Sequence, residues 1–221
     1  MKNINSVVKT INISKPVEMD YSIFIGDAKH RHRFIDRIEK QVRQSLEYRD
    51  YIQFLKENAN LNKCIFFNNI SQNGKRSNRI SLELHHEPFT LFDIVSTVVN
   101  RYEAEGIPLN SLLIADEVLK LHYENKVGLV PLSKTMHQMI HNSDKIKIPL
   151  TAVYGNYNEF LNEYEPYAEE NGLFDKLEKK LELTKNLTEK DFEAIKTEFK
   201  YLDVEGVDDV NKMEVVKNQI A

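Results

Sequence analysis

The chain has 221 residues, of which 41% are hydrophobic and 29% charged, and its net charge is −4. The charge is distributed unevenly: it is +7 over residues 1–80 (15 basic against 8 acidic), −3 over 81–150 (6 against 9) and −8 over 151–221 (9 against 17). This composition excludes a wholly disordered protein, the apolar runs are too short for a membrane-spanning helix, and the single cysteine, Cys64, excludes an internal disulfide. Because the N-terminus also lacks the apolar block of a signal peptide, the sequence predicts a cytoplasmic protein with no membrane partner.

The first predicted elements are a short strand and a long amphipathic helix. "YSIFIGD" is a β-type run that Gly26 closes. Residues 31–57 then carry apolar side chains at close to helical spacing over several turns, which predicts one long helix. This helix either covers the core or forms the seam of a homodimer. Its basic residues suit a solvated face and a phosphate contact equally well.

Two β-type runs follow, "CIFFNNI" and "RISLELHH", and the Asn73-Gly74 pair between them is typical of a hairpin turn. The sequence therefore predicts a hairpin whose second arm ends at the adjacent histidines His85 and His86. The turn segment "GKRSNR" is basic, and a local positive patch is sufficient to contact the phosphates of DNA. Three candidate DNA-binding residues lie in this segment: Lys75, Arg76 and Arg79.

Two helices are predicted next, Thr90–Glu105 and Leu109–Glu124, with Gly106 and Pro108 between them. Thr90 is followed three residues later by Asp93, an approximate capping box that marks the start of the first helix. Both helices lie between the β-type run that ends at the adjacent histidines and the next β-type run of the chain.

That next run, "VGLVPLS", leads into the short helix "KTMHQMIHN", for which Ser133 is a good N-cap. Lys134, in the first turn of this helix, is a fourth candidate for contact with the DNA backbone. "IKIPLTAVYG" is another extended run, and the acidic remainder of the chain has helical, amphipathic patterning as far as about Asp203.

Four of the seven histidines fall in two pairs. His137 and His141, four residues apart on a helix, lie on one face and can share a metal ion, although such pairs also occur by chance and "HQMIH" lacks the glutamate of the H-E-x-x-H pattern. His85 and His86 are harder to explain as purely structural residues. Adjacent strand residues point to opposite faces, so burial of one ring exposes the other.

At these residues the sequence resembles the HNH endonucleases, whose active site is two antiparallel strands and a helix folded over one divalent metal ion. The matching segments are "LELHHEPF" and "GLVPLSKTMHQMIH", and the resemblance covers about residues 80–155. The paired histidines are most similar to those of colicin-type DNases, and the whole set also resembles HNH proteins encoded by large bacteriophages. The resemblance implies an α+β fold: a small ββα-metal core with a helical insertion between its strands, flanked by a long N-terminal helix and by C-terminal helices.

The resemblance also implies a function, a metal-dependent endonuclease that hydrolyses phosphodiester bonds of DNA in the host cytoplasm. His86 would be the general base, and His85, His137 and His141 would hold a Zn²⁺, Mg²⁺, Mn²⁺ or Ni²⁺ ion. Neutral imidazoles suit both tasks near pH 7. The implied domains are an N-terminal strand and helix (1–62), the HNH-like core (63–155) and an acidic helical region (156–221).

The sequence departs from the HNH pattern at two places. Gly128 stands where the family has its middle asparagine, with Asn125 as the nearest replacement, and Ser133 and Met136 stand where many members have zinc-binding cysteines. Two other functions therefore stay open. One is a DNA-binding or assembly protein that keeps the scaffold without cleavage. The other is an interaction protein in which the histidines enclose a structural zinc ion.

Overall fold

The fold is known from a computed structural model that describes residues 27–67, 82–142, 146–185 and 187. In this part of the chain the protein is mainly helical with a two-stranded antiparallel sheet, which confirms the predicted α+β class. The helices are α1 (Ala28–Gln44), α2 (Leu46–Asn58), α3 (Leu91–Ala104), α4 (Ser111–Tyr123), α5 (Lys134–Asn142), α6 (Tyr157–Glu163), α7 (Glu165–Glu170) and α8 (Leu173–Thr184), with a 3₁₀ helix at Leu150–Ala152 and strands β1 (Leu82–His86) and β2 (Leu129–Ser133). Every helix described is too short or too polar to cross a lipid bilayer.

The long N-terminal helix is broken at Ser45, so the prediction of one continuous helix is wrong. Ser45 has extended backbone angles, and its N–H donates to the carbonyls of Gln41 and Val42 at the end of α1. Its hydroxyl accepts from the Tyr48 N–H, which caps the start of α2. A serine that caps two helix ends at once turns the chain without a loop. The strand predicted at "YSIFIGD" lies almost entirely outside the described residues.

The sheet joins two strands that are distant in the sequence. β1 runs antiparallel to β2, with Leu82 opposite Ser133 and His86 opposite Leu129. The predicted hairpin with "CIFFNNI" is wrong over the described residues, because 64–67 form no strand and only the Ile65 N–H donates to the Pro131 carbonyl at 3.0 Å. The Asn73-Gly74 turn lies outside the described part of the chain.

Both helices predicted between the strands are present; α3 begins after its predicted cap, Thr90, and α4 begins at Ser111, two residues later than predicted. The Thr90 side chain accepts from the Asp93 N–H and Asp93 bonds back to Thr90, a complete capping box at α3. Asn110 caps α4 by accepting from the Leu112 N–H. Ser133, the last residue of β2, accepts from the Met136 N–H at 3.3 Å, so α5 follows the strand directly.

The segment "IKIPLTAVYG" is not a strand, contrary to the prediction. Leu150–Ala152 form a 3₁₀ helix, and Tyr154 alone makes a β-bridge, to Leu129. Proline at 149 removes one backbone donor and fixes its φ, which disfavours a regular strand there.

The buried side chains form one large cluster and two smaller ones. The large cluster takes residues from all three predicted domains, for example Phe34, Val95 and Phe160. A smaller cluster lies between β2 and α5 and includes Val130 and Met136. The apolar face of α1 packs inside the chain within the large cluster. The division into three domains and the homodimer seam stay predictions.

Gly128 allows the end of β1 to approach the start of β2. The Glu87 N–H donates to the Gly128 carbonyl at 3.0 Å. A Cβ atom at Gly128 would lie 1.8 Å from the Glu87 carbonyl oxygen and 2.8 Å from a Val153 methyl group. Any side chain at this position would therefore push the two strands apart, and an asparagine cannot occupy it in this backbone.

Candidate metal centre

The two faces of β1 carry different chemistry. Strand residues alternate between faces, so Glu83 and His85 lie on one side and Leu84 and His86 on the other. α5 covers the first face, where the ring of His85 contacts histidines of that helix. The second face packs against the helical core, where Leu84 belongs to an apolar cluster. The adjacent histidines therefore enter two separate environments.

Three histidines converge between β1 and α5. One ring nitrogen from each of His85, His137 and His141 lies within 4.8 Å of the others. The ring centroids are 4.9 Å apart for His85 and His137, 5.1 Å for His85 and His141, and 4.7 Å for His137 and His141. The cluster is open at one side, because His85 is only 7% exposed whereas His141 is exposed.

The nitrogens of the α5 pair already have a separation that suits shared coordination. The Nε2 atoms of His137 and His141 lie 3.0 Å apart. A tetrahedral zinc ion with Zn–N distances of about 2.0–2.1 Å separates its ligand nitrogens by about 3.3 Å. Partial burial of the ring, and then the neighbouring rings of His85 and His137, lower the pKa of His141. The ring is therefore in the neutral form that binds metal ions near pH 7.

Carboxylates contact two of the three histidines from outside the cluster. Glu83 Oε2 lies 2.5 Å from Nδ1 of His137. Glu87 Oε2 lies 3.5 Å from Nε2 of His85, and Lys180 of α8 forms an ion pair with the same carboxylate. Burial works against ionisation of Glu87, but its contacts with His85 and Lys180 lower its pKa overall. Glu83 lies on the same face of β1 as His85 but contacts His137, and the contact of Lys180 with Glu87 has no local sequence signal.

His86 lies on the other side of the sheet, in a buried histidine pair. His122 Nδ1–H donates to the Val118 carbonyl at 2.6 Å, so its Nε2 is the acceptor for Nε2–H of His86 at 3.0 Å. Tyr48 stacks on His86 and meets His122 edge-on. Burial, followed by the proximity of His122, holds the pKa of His86 well below its usual value, and burial lowers that of His122 to about 4.

Of the other residues considered from the sequence, the structure describes Lys134 and Asn125. Lys134 is exposed in the first turn of α5. Lys75, Arg76 and Arg79 are outside the described residues. The side chain of Asn125 accepts from the hydroxyls of Tyr51 and Tyr154, both at 3.4 Å, so it braces the loop before β2.

Comparison with known proteins identifies the family. A family model described as bacteriophage G278-like virion protein matches residues 1–214. No curated protein and no solved structure shows significant similarity to the chain. The chain therefore belongs to the bacteriophage G278-like virion protein family.

This membership corrects the prediction of an HNH endonuclease. The matching family is one of virion proteins, so the nuclease family, the hydrolase activity and the enzyme class predicted from the resemblance are wrong. Of that prediction, only the bacteriophage origin is supported. The buried position of His86 gives a physical reason. Its Nε2 is used by His122, and the ring lies on the opposite face of β1 from the histidine cluster, so it cannot serve as a general base there.

The buried histidine pair predicts a pH-dependent stability. His86 and His122 are neutral in the folded chain but regain a pKa near 6.5 on unfolding, so their contribution is complete above pH 6.5 and is lost as the pH falls towards about 4. Each histidine should lower the unfolding free energy by up to about 1.4 kcal/mol per pH unit in that window. Urea denaturation with a chelator present, between pH 7.5 and 5, measures this slope.

His122→Gln should flatten the slope, and His30→Gln, at an exposed site, should not. Equal slopes in all three proteins would contradict the assignment.

Proposed function

We propose, from membership of the virion protein family, that the chain is a structural component of the phage particle and acts there as an interaction or assembly module. In this proposal it works in the virion rather than free in the host cytoplasm. β1, β2 and α5 form a ββα unit that a transition-metal ion stabilises. Its ligands are His85, His137 and His141.

The observation that supports a metal-stabilised unit is the convergence of the three imidazoles on one point. The apolar core beneath this unit is small, with Leu82, Val130, Leu132 and Met136 among its buried members. Small cores gain much of their stability from a bound ion, because metal binding free energy adds to folding free energy when the site exists only in the folded chain.

The donor set favours particular metals. Imidazole nitrogens bind Zn²⁺ and Ni²⁺ well, whereas Mg²⁺ prefers oxygen ligands. Of the four ions considered from the sequence, Zn²⁺ and Ni²⁺ are therefore the expected occupants. Three protein ligands leave the fourth position of a tetrahedral ion to water or to a group from another molecule. The open side of the cluster, at His141, is where that ligand enters.

Zinc titration tests the metal centre. The wild-type chain should bind one Zn²⁺, and zinc at 100 times its dissociation constant should add about 2.7 kcal/mol to stability, a rise in Tm of roughly 5–10 °C. His141→Ala should lose both the zinc binding and the rise in Tm, because it removes one of the three ligands. The variant should still fold, because the ring is exposed and its removal leaves the core intact. Isothermal titration calorimetry and thermal melting of the same samples measure the two effects.

The control for this experiment is His32→Ala. His32 is an exposed histidine on α1 whose side chain is 63% accessible and lies 3.5 Å from Asp36. The variant should bind zinc and melt like the wild type. Absence of zinc binding in the wild type, or equal loss in both variants, would contradict a metal centre at the three histidines.

DNA is the macromolecular partner that the charge distribution favours, and this too is a proposal. The excess of basic residues lies within residues 1–80, and Lys134 adds an exposed positive charge on α5. A component of a particle that encloses a genome has DNA available as a partner. Contacts with phosphate require only such a local positive surface.

Salt dependence of DNA binding tests this partner. Replacing Lys75, Arg76 and Arg79 together by Gln should weaken duplex binding and reduce the slope of log K against log salt by roughly one unit for each phosphate that the chain no longer neutralises. The matched control replaces three exposed lysines elsewhere by Gln: Lys120, Lys179 and Lys185. Fluorescence anisotropy over a range of salt concentrations measures the slopes. A slope unchanged by the first triple substitution would remove these residues from the binding surface.

A further inference from the structure

We infer that Glu83 and Glu87 are positioning residues of the metal centre, and that Lys180 holds Glu87 in place. Each carboxylate engages one nitrogen of a histidine and so determines which nitrogen is left for the ion. This inference deepens the proposed function, since it rests on metal binding by the three histidines. It also connects the centre to α8, which is distant in the sequence.

The contact between Glu83 and His137 fixes the tautomer of the ring. Glu83 Oε2 lies 2.5 Å from Nδ1 of His137, and a carboxylate accepts hydrogen bonds, so this contact favours the tautomer with its proton on Nδ1. Nε2 then carries the free lone pair. That atom is the one that lies 3.0 Å from Nε2 of His141. The carboxylate thus directs the lone pair of His137 towards the second ligand of the same helix.

Glu87 acts on His85 from the opposite edge of the cluster. Its Oε2 faces Nε2 of His85 at 3.5 Å, which leaves Nδ1 of that ring for the ion. Both residues are almost fully buried, with His85 7% and Glu87 6% exposed. A contact at this depth is screened little by solvent, so it restricts the ring more than a surface contact would.

Lys180 accounts for the presence of a carboxylate at this depth. A buried carboxylate without a partner is strongly unfavourable, and Lys180 supplies the opposite charge from α8. The polar chain therefore runs from His85 through Glu87 to Lys180. An ion that orders His85 should also favour packing of α8 against this site. Loss of Lys180 should in turn weaken binding of the ion.

Lys176 provides a matched control on the same helix. It lies one turn before Lys180 on α8 and forms an ion pair with Asp93, the partner of Thr90 in the capping box of α3. Both lysines are partly buried, at 35% and 29% exposure of the side chain. Of the two lysines, Lys180 is the one whose partner, Glu87, also contacts a histidine of the cluster. Lys176→Met and Lys180→Met thus remove comparable ion pairs, one outside the polar chain and one inside it.

The experiment measures zinc affinity by competition with a chromophoric chelator and histidine tautomers by ¹⁵N NMR of the full chain. Glu83→Leu, Glu87→Gln and Lys180→Met should each weaken zinc binding by about 10–100-fold, the usual effect of losing a group that orients a metal ligand. Glu83→Gln keeps an oxygen acceptor and should lose less than Glu83→Leu. Lys176→Met should bind zinc like the wild type.

The NMR readout separates positioning from a general loss of stability. Without metal, His137 should be protonated at Nδ1 and His85 at Nε2, and Glu83→Leu should mix the tautomers of His137 alone. The side chain of Glu83 is 37% exposed, so its replacement leaves the fold intact even if Glu87→Gln does not fold. Zinc binding by the wild type with unchanged affinity in Glu83→Leu and Lys180→Met would overturn the inference. No zinc binding by the wild type would instead overturn the proposed metal centre.

Discussion

The antiparallel pairing of β1 with β2 is the constraint on which the rest of the described structure depends. It brings together two short segments with α3 and α4 between them, and beside it the Glu87 N–H donates to the carbonyl of Gly128, where no side chain fits. Because α5 starts at the residue after β2, the register of this pairing also determines where the helical histidines lie above β1. A shift of one residue would turn His85 away from α5 and His86 towards it.

The same alternation divides the adjacent histidines between two kinds of site. On the α5 side, His85 joins an exposed and a half-buried ring, and one nitrogen from each of the three rings lies within 4.8 Å of the others. On the core side, Nε2 of His86 donates to Nε2 of His122, and Nδ1 of His122 donates to the Val118 carbonyl. What differs is the neighbour: a carboxylate with a bound lysine on one side, and a second imidazole among tyrosines on the other.

Local signals in the sequence predicted where helices begin better than they predicted which strands pair and which distant side chains come into contact. Thr90 with Asp93 and Ser133 are caps that act over three residues, so the starts of α3 and α5 follow from the sequence. Ser45 carries the same kind of signal, but continuous apolar spacing on both sides of it favoured one helix. The pairing of β1 with β2 and the contact of Lys180 with Glu87 depend on how the intervening helices pack, which no local pattern encodes. The nuclease family and activity predicted from the resemblance were wrong because similar histidine spacing does not determine a family.

Whether three imidazoles hold one ion in this member of the virion protein family can be measured at the ion itself. X-ray absorption at the zinc edge, on the full chain loaded with one equivalent of Zn²⁺, reports the ligands around it. We expect three imidazole nitrogens and one further nitrogen or oxygen at about 2.0–2.1 Å. A sulfur ligand at about 2.3 Å, which only Cys64 or a methionine could supply, or fewer than three imidazoles around the ion, would contradict a centre built from His85, His137 and His141.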